Sequence, residues 1–74
     1  MDDYVHRMHH ERELLDLKIE KLTAFTSDRR GPFVELAEMD RLLLQAQLSL
    51  MQAYSKIITL RIDRAERPVE EAVQ

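Results

Sequence analysis

The stretch from Met39 to Ile62, MDRLLLQAQLSLMQAYSKIITLRI, has no Gly and no Pro and carries apolar residues at helical spacing. At about 100° per residue, Met39, Leu43, Ala46, Leu50, Tyr54 and Ile57 share one face of a helix. Leu44, Leu48, Met51, Ile58 and Ile62 form a second stripe beside it, and Leu42, Ala53 and Leu60 a third edge. Together these cover roughly 240° of the circumference, where an ordinary surface helix shows a stripe of about 100°. Arg41, Gln45, Ser49, Gln52, Lys56, Thr59 and Asp63 are left as the solvent face. One partner helix cannot cover so wide an apolar surface. A chain of 74 residues has little else to offer, and cores this small lean on disulfides, metal or association. There is no cysteine, which excludes disulfides and thiolate metal sites. The expectation is a homo-oligomer in which the second stripe, Leu44, Leu48, Met51, Ile58 and Ile62, is buried between protomers.

The fold class expected is all-α, an antiparallel two-helix hairpin that assembles into a helical bundle. Residues 1–67 form the hairpin: a helix over about 3–26, a loop over 27–33 and a helix over about 34–66. Asp2 and Asp3 suit an N-cap and first turn. Val5, Met8, Leu15, Ile19 and Leu22 follow a 3-4 spacing that Arg12 interrupts. Tyr4, Glu11, Lys18 and Phe25 flank one side of that seam, and Leu14, Leu17 and Ala24 form a shorter apolar strip. The mixed charges of this helix read as a solvated face. SDRRGP, with Gly31 before Pro32, is the turn. A connection that short makes the helices antiparallel neighbours. The second helix starts between Phe33 and Glu38 and ends before Arg67, which Pro68 biases away from the helical region. The acidic tail 68–74, PVEEAVQ, is expected to be flexible.

Apolar runs of at most three residues fall far short of the ~18 needed to span a membrane. The opening residues lack the apolar core of a secretory signal. A cytoplasmic location is therefore expected. The net charge of −3 argues against long nucleic acid as the partner. No catalytic constellation is visible: there is no Cys nucleophile, no Ser placed with His and acid, and no Gly-rich phosphate loop. The chain reads as non-enzymatic, with no cofactor.

Three groups of residues have the chemistry to bind something. His6, His9 and His10 lie at helical spacings that let a pair share a metal ion, yet they lack the HExxH order and a second ligand pair, so they read as a polar helix face and no metal is assigned. Arg29, Arg30 and the Gly31 turn have the raw material to hold a phosphate, with Phe33 beside them to stack on a base; a solvated turn is the plainer reading. Asp40, Gln47 and Arg61 interrupt the wide apolar face. Either Arg61 pairs with an acid of the first helix near the helix C-terminus, or Gln47, Tyr54 and Arg61 set register or line a ligand site between protomers.

DYVHRMHHERELLDLKIEKLTAF, then Phe33 and Leu36, then LLLQAQLSLMQAYSKIITLRI, resembles a family of very small phage proteins named for a member in crAss-like phages. Tyr4, Arg7, Met8, Ile19, Glu20, Lys21, Leu22, Leu42, Leu43, Gln47, Met51, Tyr54, Arg61 and Ile62 carry the likeness, over about residues 3–62. The Gly-Pro of the loop and the tail after Arg64 fall outside it. The resemblance implies a phage-encoded accessory protein in the host cytoplasm that counters host defence. It would be an oligomeric hairpin that sequesters a cyclic-nucleotide signal, with Arg29, Arg30, Tyr54 and Arg61 as ligand contacts, or one that blocks a host defence protein. The alternative is a helical adaptor or inhibitor with no small-molecule ligand. A His-bridged metal oligomer is a third reading.

Overall fold

The computed structural model describes residues 2–67, with side chains from Asp3 onward. Two helices pack together as a hairpin. α1 spans Asp2–Ser27 and α2 spans Glu38–Glu66, with a single 3-10 turn at Pro32–Glu35 between them. The rod measures 53 × 22 × 14 Å. The described residues contain no strand. The tail expected to be flexible lies outside the described residues. No described helix is long and apolar enough to cross a membrane.

The seam of α1 follows its 3-4 spacing. Met8 is buried, Val5 and Leu15 pack against the cluster it forms with Ile58 and Ile62, and Ile19 and Leu22 are half-buried further along. Arg12 keeps its place in the seam by sending its guanidinium outward, where it donates to the Thr59 hydroxyl at 3.3 Å. The strip of Leu14, Leu17 and Ala24 faces away and is exposed.

α2 uses two faces, and here the structure exchanges the roles expected of its stripes. Leu44, Leu48, Met51, Ile58 and Ile62, assigned above to an interface between protomers, are the residues that meet α1. Ile58 is completely buried, Ile62 is buried, and the other three are half-buried. Spacing does not choose between the stripes: this one recurs at alternating steps of three and four, as a seam against an antiparallel neighbour requires, and what favours it is the pair of large side chains, Ile58 and Ile62, that fill the space against Met8. Tyr54, expected in the first stripe, lies beside it, and the other seam recurs in the same way through Met39, Leu43, Ala46, Leu50, Ala53, Ile57 and Leu60, with Ala53 and Leu60 joining from the third edge. All seven of these residues are exposed. The two seams lie on nearly opposite sides of one helix, so α1 covers one and leaves the other open.

The turn is built by its own residues. Asp28 accepts the Arg30 N–H through its carboxylate at 3.0 Å and the Gly31 N–H through its carbonyl at 3.2 Å, an Asx-type turn. Pro32 opens the 3-10 turn, where its missing N–H costs nothing. Phe33 turns inward, is buried, and meets the Phe25 ring edge-on at 5.8 Å between centroids. This turn takes up Pro32–Glu35. α2 accordingly begins at Glu38, the last residue of the Phe33–Glu38 range expected for its start, after Ala37 leaves in an extended conformation. Glu38 and Asp40 in its first turn and Arg64 in its last complement the helix dipole. Arg67 is extended, with φ −73° and ψ 146°, as a residue before proline should be.

Candidate functional site

Tyr4 and Glu11 stand one heptad apart on α1, and Tyr54 and Arg61 one heptad apart on α2. Antiparallel packing therefore sets them opposite each other in pairs. The Arg61 guanidinium donates to the Tyr4 hydroxyl at 2.8 Å, with its central carbon 5.9 Å from the ring centroid. The Tyr54 hydroxyl donates to the Glu11 carboxylate. One heptad further toward the turn, Lys18 and Gln47 border the same shallow hollow with Phe25 and Met51. The result is a polar ladder along one flank of the hairpin, immediately beside the open apolar seam of α2.

The ladder has a definite electrostatic character. The hydrogen bond to Glu11, reinforced by repulsion from that carboxylate, raises the Tyr54 phenol above its ordinary value of 10.0. The Tyr4 hydroxyl accepting from Arg61 raises the guanidinium further above its already high value. Tyr54 is thus held neutral and Arg61 charged. The bland expectation for Arg61 was an acid of α1. Its partner is instead a phenol, because Tyr4 and not an acid occupies the facing heptad position. The acid Glu11 sits one rung away and takes the Tyr54 hydroxyl.

The opposite flank is polar as well. His9 Nε2 lies 3.1 Å from the Glu66 carboxylate, and the Ser55 hydroxyl donates to Asp16 at 2.7 Å. His6 and His10 are exposed near Asp3 and Arg7. Among the described residues no group of three or more His, Asp or Glu is placed to hold a metal ion.

The four residues singled out for ligand contact are not brought together. Arg29 and Arg30 sit at the turn, whereas Arg61 faces Tyr4 near the other end of α1, roughly 35 Å away at 1.5 Å per helical residue. The turn itself is a poor anion cradle. Its Arg30 and Gly31 amides are taken by Asp28, so a carboxylate of the chain already stands where a phosphate would bind. Phe33 is buried against Phe25 and offers no face to a base. Tyr54 and Arg61 do share a surface. What the sequence reading missed are their partners Tyr4 and Glu11, although the matching seven-residue spacings on the two helices carried the signal.

A paired-helix rod with one face packed, one apolar face open and a polar ladder between them is a small all-α domain of a kind consistent with a protein-interaction module. The Sequestin family model matches residues 2–64, and the chain belongs to the Sequestin family. No curated protein and no solved structure matches it. The family match bears on descent and says nothing of a phage source.

Proposed function

We propose that this chain is a non-enzymatic helical interaction module that works as a homo-oligomer, and that it serves as a phage-type accessory protein in the host cytoplasm. In that role it captures a host immune factor, a cyclic-nucleotide signal being the first candidate. The observation that supports self-association is the open seam of α2. Met39, Leu43, Leu50, Ile57 and Leu60 are each more than half exposed, an apolar strip about 32 Å long at 1.5 Å per residue. Soluble monomers rarely leave such a strip to water. Capture of a nucleotide is supported by Tyr54 and Arg61, a ring and a fixed cation one heptad apart on the border of that strip. Arg29 and Arg30 are too remote to join them within one hairpin.

Isothermal calorimetry of the purified protein against a panel of cyclic di- and trinucleotides tests the ligand. Heat saturating at one defined stoichiometry, abolished by Arg61→Ala, is the expected outcome. No heat from any member at tens of micromolar protein removes the nucleotide.

A second reading has its own support: the same surface docks a host or phage protein and takes no small ligand. Glu11 beside Tyr54 and the net charge of −3 both oppose an anion at the ladder. Capture of a defined protein partner, lost on Leu50→Glu and unaffected by cyclic nucleotides, is its expected signature.

A further inference from the structure

The open seam of α2 is self-complementary in a single orientation. Its residues alternate as heptad a and d positions, with Leu43, Leu50 and Ile57 at a and Ala46, Ala53 and Leu60 at d. All six are exposed in the hairpin, so their pairing is still to be made. A parallel copy would stack Arg64 on the partner's Arg64 and bring Lys56 beside the partner's Arg61, like charge against like. An antiparallel copy avoids both contacts. With its two-fold axis between Met51 and Gln52, Leu43 faces the partner's Leu60, Ala46 the partner's Ile57, and Leu50 the partner's Ala53. Each alanine then receives a large side chain, which is how facing layers interdigitate without voids. Sliding the copy by one heptad either way leaves seam residues without a counterpart.

The flanks agree with this register. Antiparallel helices set e positions against e positions, and on this seam those are Asp40, Gln47, Tyr54 and Arg61. The register that pairs all six of these residues also places Asp40 beside the partner's Arg61, and Gln47 beside the partner's Tyr54. The ladder of the single hairpin is therefore half of a larger one. Arg61 is held on one side by Tyr4 at 2.8 Å and would gain a carboxylate on its other side from the second copy.

We infer that the occupant of the open α2 seam is a second copy of this chain. It lies antiparallel, with α2 packed on α2 at the centre and the two α1 helices outermost, and Asp40 of each protomer completes the Tyr4–Arg61 pair of the other. The inference rests on the self-association part of the proposed function and is independent of any ligand.

The chain has no cysteine, so single introduced cysteines report cleanly on orientation. Leu43→Cys and Leu60→Cys proteins are each oxidised alone and then mixed, without nucleotide. A disulfide-linked dimer that forms in the mixture and in neither protein alone is the expected result. Self-linking of Leu43→Cys would establish a parallel pair and overturn the inference. So would no linking in any sample together with a monomer mass by sedimentation. Leu50 points away from α1, so Leu50→Glu should keep its helical circular dichroism while the dimer weakens at least 100-fold; an unchanged dissociation constant would refute the seam. Asp40→Lys should weaken it by up to about five-fold, the scale of a rim ion pair, and more steeply at low salt than at high. An antiparallel dimer that gives no heat with cyclic nucleotides would sink the ligand and leave this inference standing. Nucleotide binding by a monomer would do the reverse.

Discussion

Ile58 and Leu50 sit eight residues apart on the same helix, one completely buried and the other 72% exposed. Truncating each to alanine separates the two faces of α2. Ile58 is in the cluster with Met8 and Ile62, and removing a buried aliphatic side chain to alanine costs about 2–5 kcal/mol. A domain of this size has roughly 4–10 kcal/mol in total, so Ile58→Ala should remove a fifth or more of the stability at any protein concentration. Leu50→Ala should do something different. In an isolated hairpin it deletes atoms that already face water, and alanine is a slightly better helix former, so its effect should be within about 0.5 kcal/mol. In the self-associated protein it opens a void at the centre of the seam, and the loss should appear only where the dimer is populated. Urea unfolding followed by helical circular dichroism, repeated over a hundred-fold range of protein concentration, reads both. The reasoning is refuted if Ile58→Ala costs under 1 kcal/mol. It is equally refuted if Leu50→Ala destabilises the protein at dilutions where sedimentation shows a monomer.

Other consequences follow from single contacts. The Tyr54 phenol is raised by Glu11, so its contribution to stability is fully present below pH 10 and is lost as the pH rises through the folded-state value. Phenolate absorbance of a Tyr4→Phe protein should show Tyr54 titrating late, and Glu11→Gln should bring that titration down; an unmoved midpoint would contradict the pairing. Arg41, expected on the solvent face, lies half-buried on the packed side of α2, and its Nε has no hydrogen-bond partner among the described residues, so Arg41→Met should be neutral or stabilise by about 1 kcal/mol in urea unfolding. A Cβ added at Gly31 would come within 2.6 Å of the Asp28 carboxylate oxygen, so Gly31→Ala should displace the Asp28 cap and cost about 1 kcal/mol. Asp28→Ala should cost a similar amount, and the two should not add.

How much of this was legible beforehand depended on whether a residue's role was set within one helix or between two. The seam of α1 was readable because Val5, Met8, Leu15, Ile19 and Leu22 offer a single regular spacing. α2 was harder because it carries two regular spacings, and helical period alone ranks them equally. What decides between them is what α1 can fill. The Leu44–Ile62 stripe presents two large β-branched side chains, Ile58 and Ile62, to Met8 and Val5, whereas the other stripe holds two alanines that would leave α1 short of contact. Such a comparison needs the facing register, which no local pattern supplies. The turn was legible as a break, but the inward Phe33 was not, since its burial depends on Phe25 arriving from the end of the other helix.

The polar ladder shows why the two faces of α2 belong to one design. A buried seam of leucine and isoleucine fixes how tightly two helices pack but tolerates slippage by a heptad, because each layer resembles the next. Tyr4 with Arg61 and Glu11 with Tyr54 do not tolerate it. A one-heptad slip would bring Glu11 to Arg61 and Lys18 to Tyr54, keeping one good pair but removing Met8 from Ile62 and uncovering the start of α2. The ladder thus sets the register of the hairpin, and the register sets where the open seam begins and ends. If Asp40 of a second copy then reaches Arg61, as inferred above, the same guanidinium fixes both the fold and the assembly. Removing it should loosen both, and Arg61→Lys should restore neither fully. A lysine supplies the charge but lacks the planar fork with which Arg61 donates to Tyr4 on one side and to a carboxylate on the other.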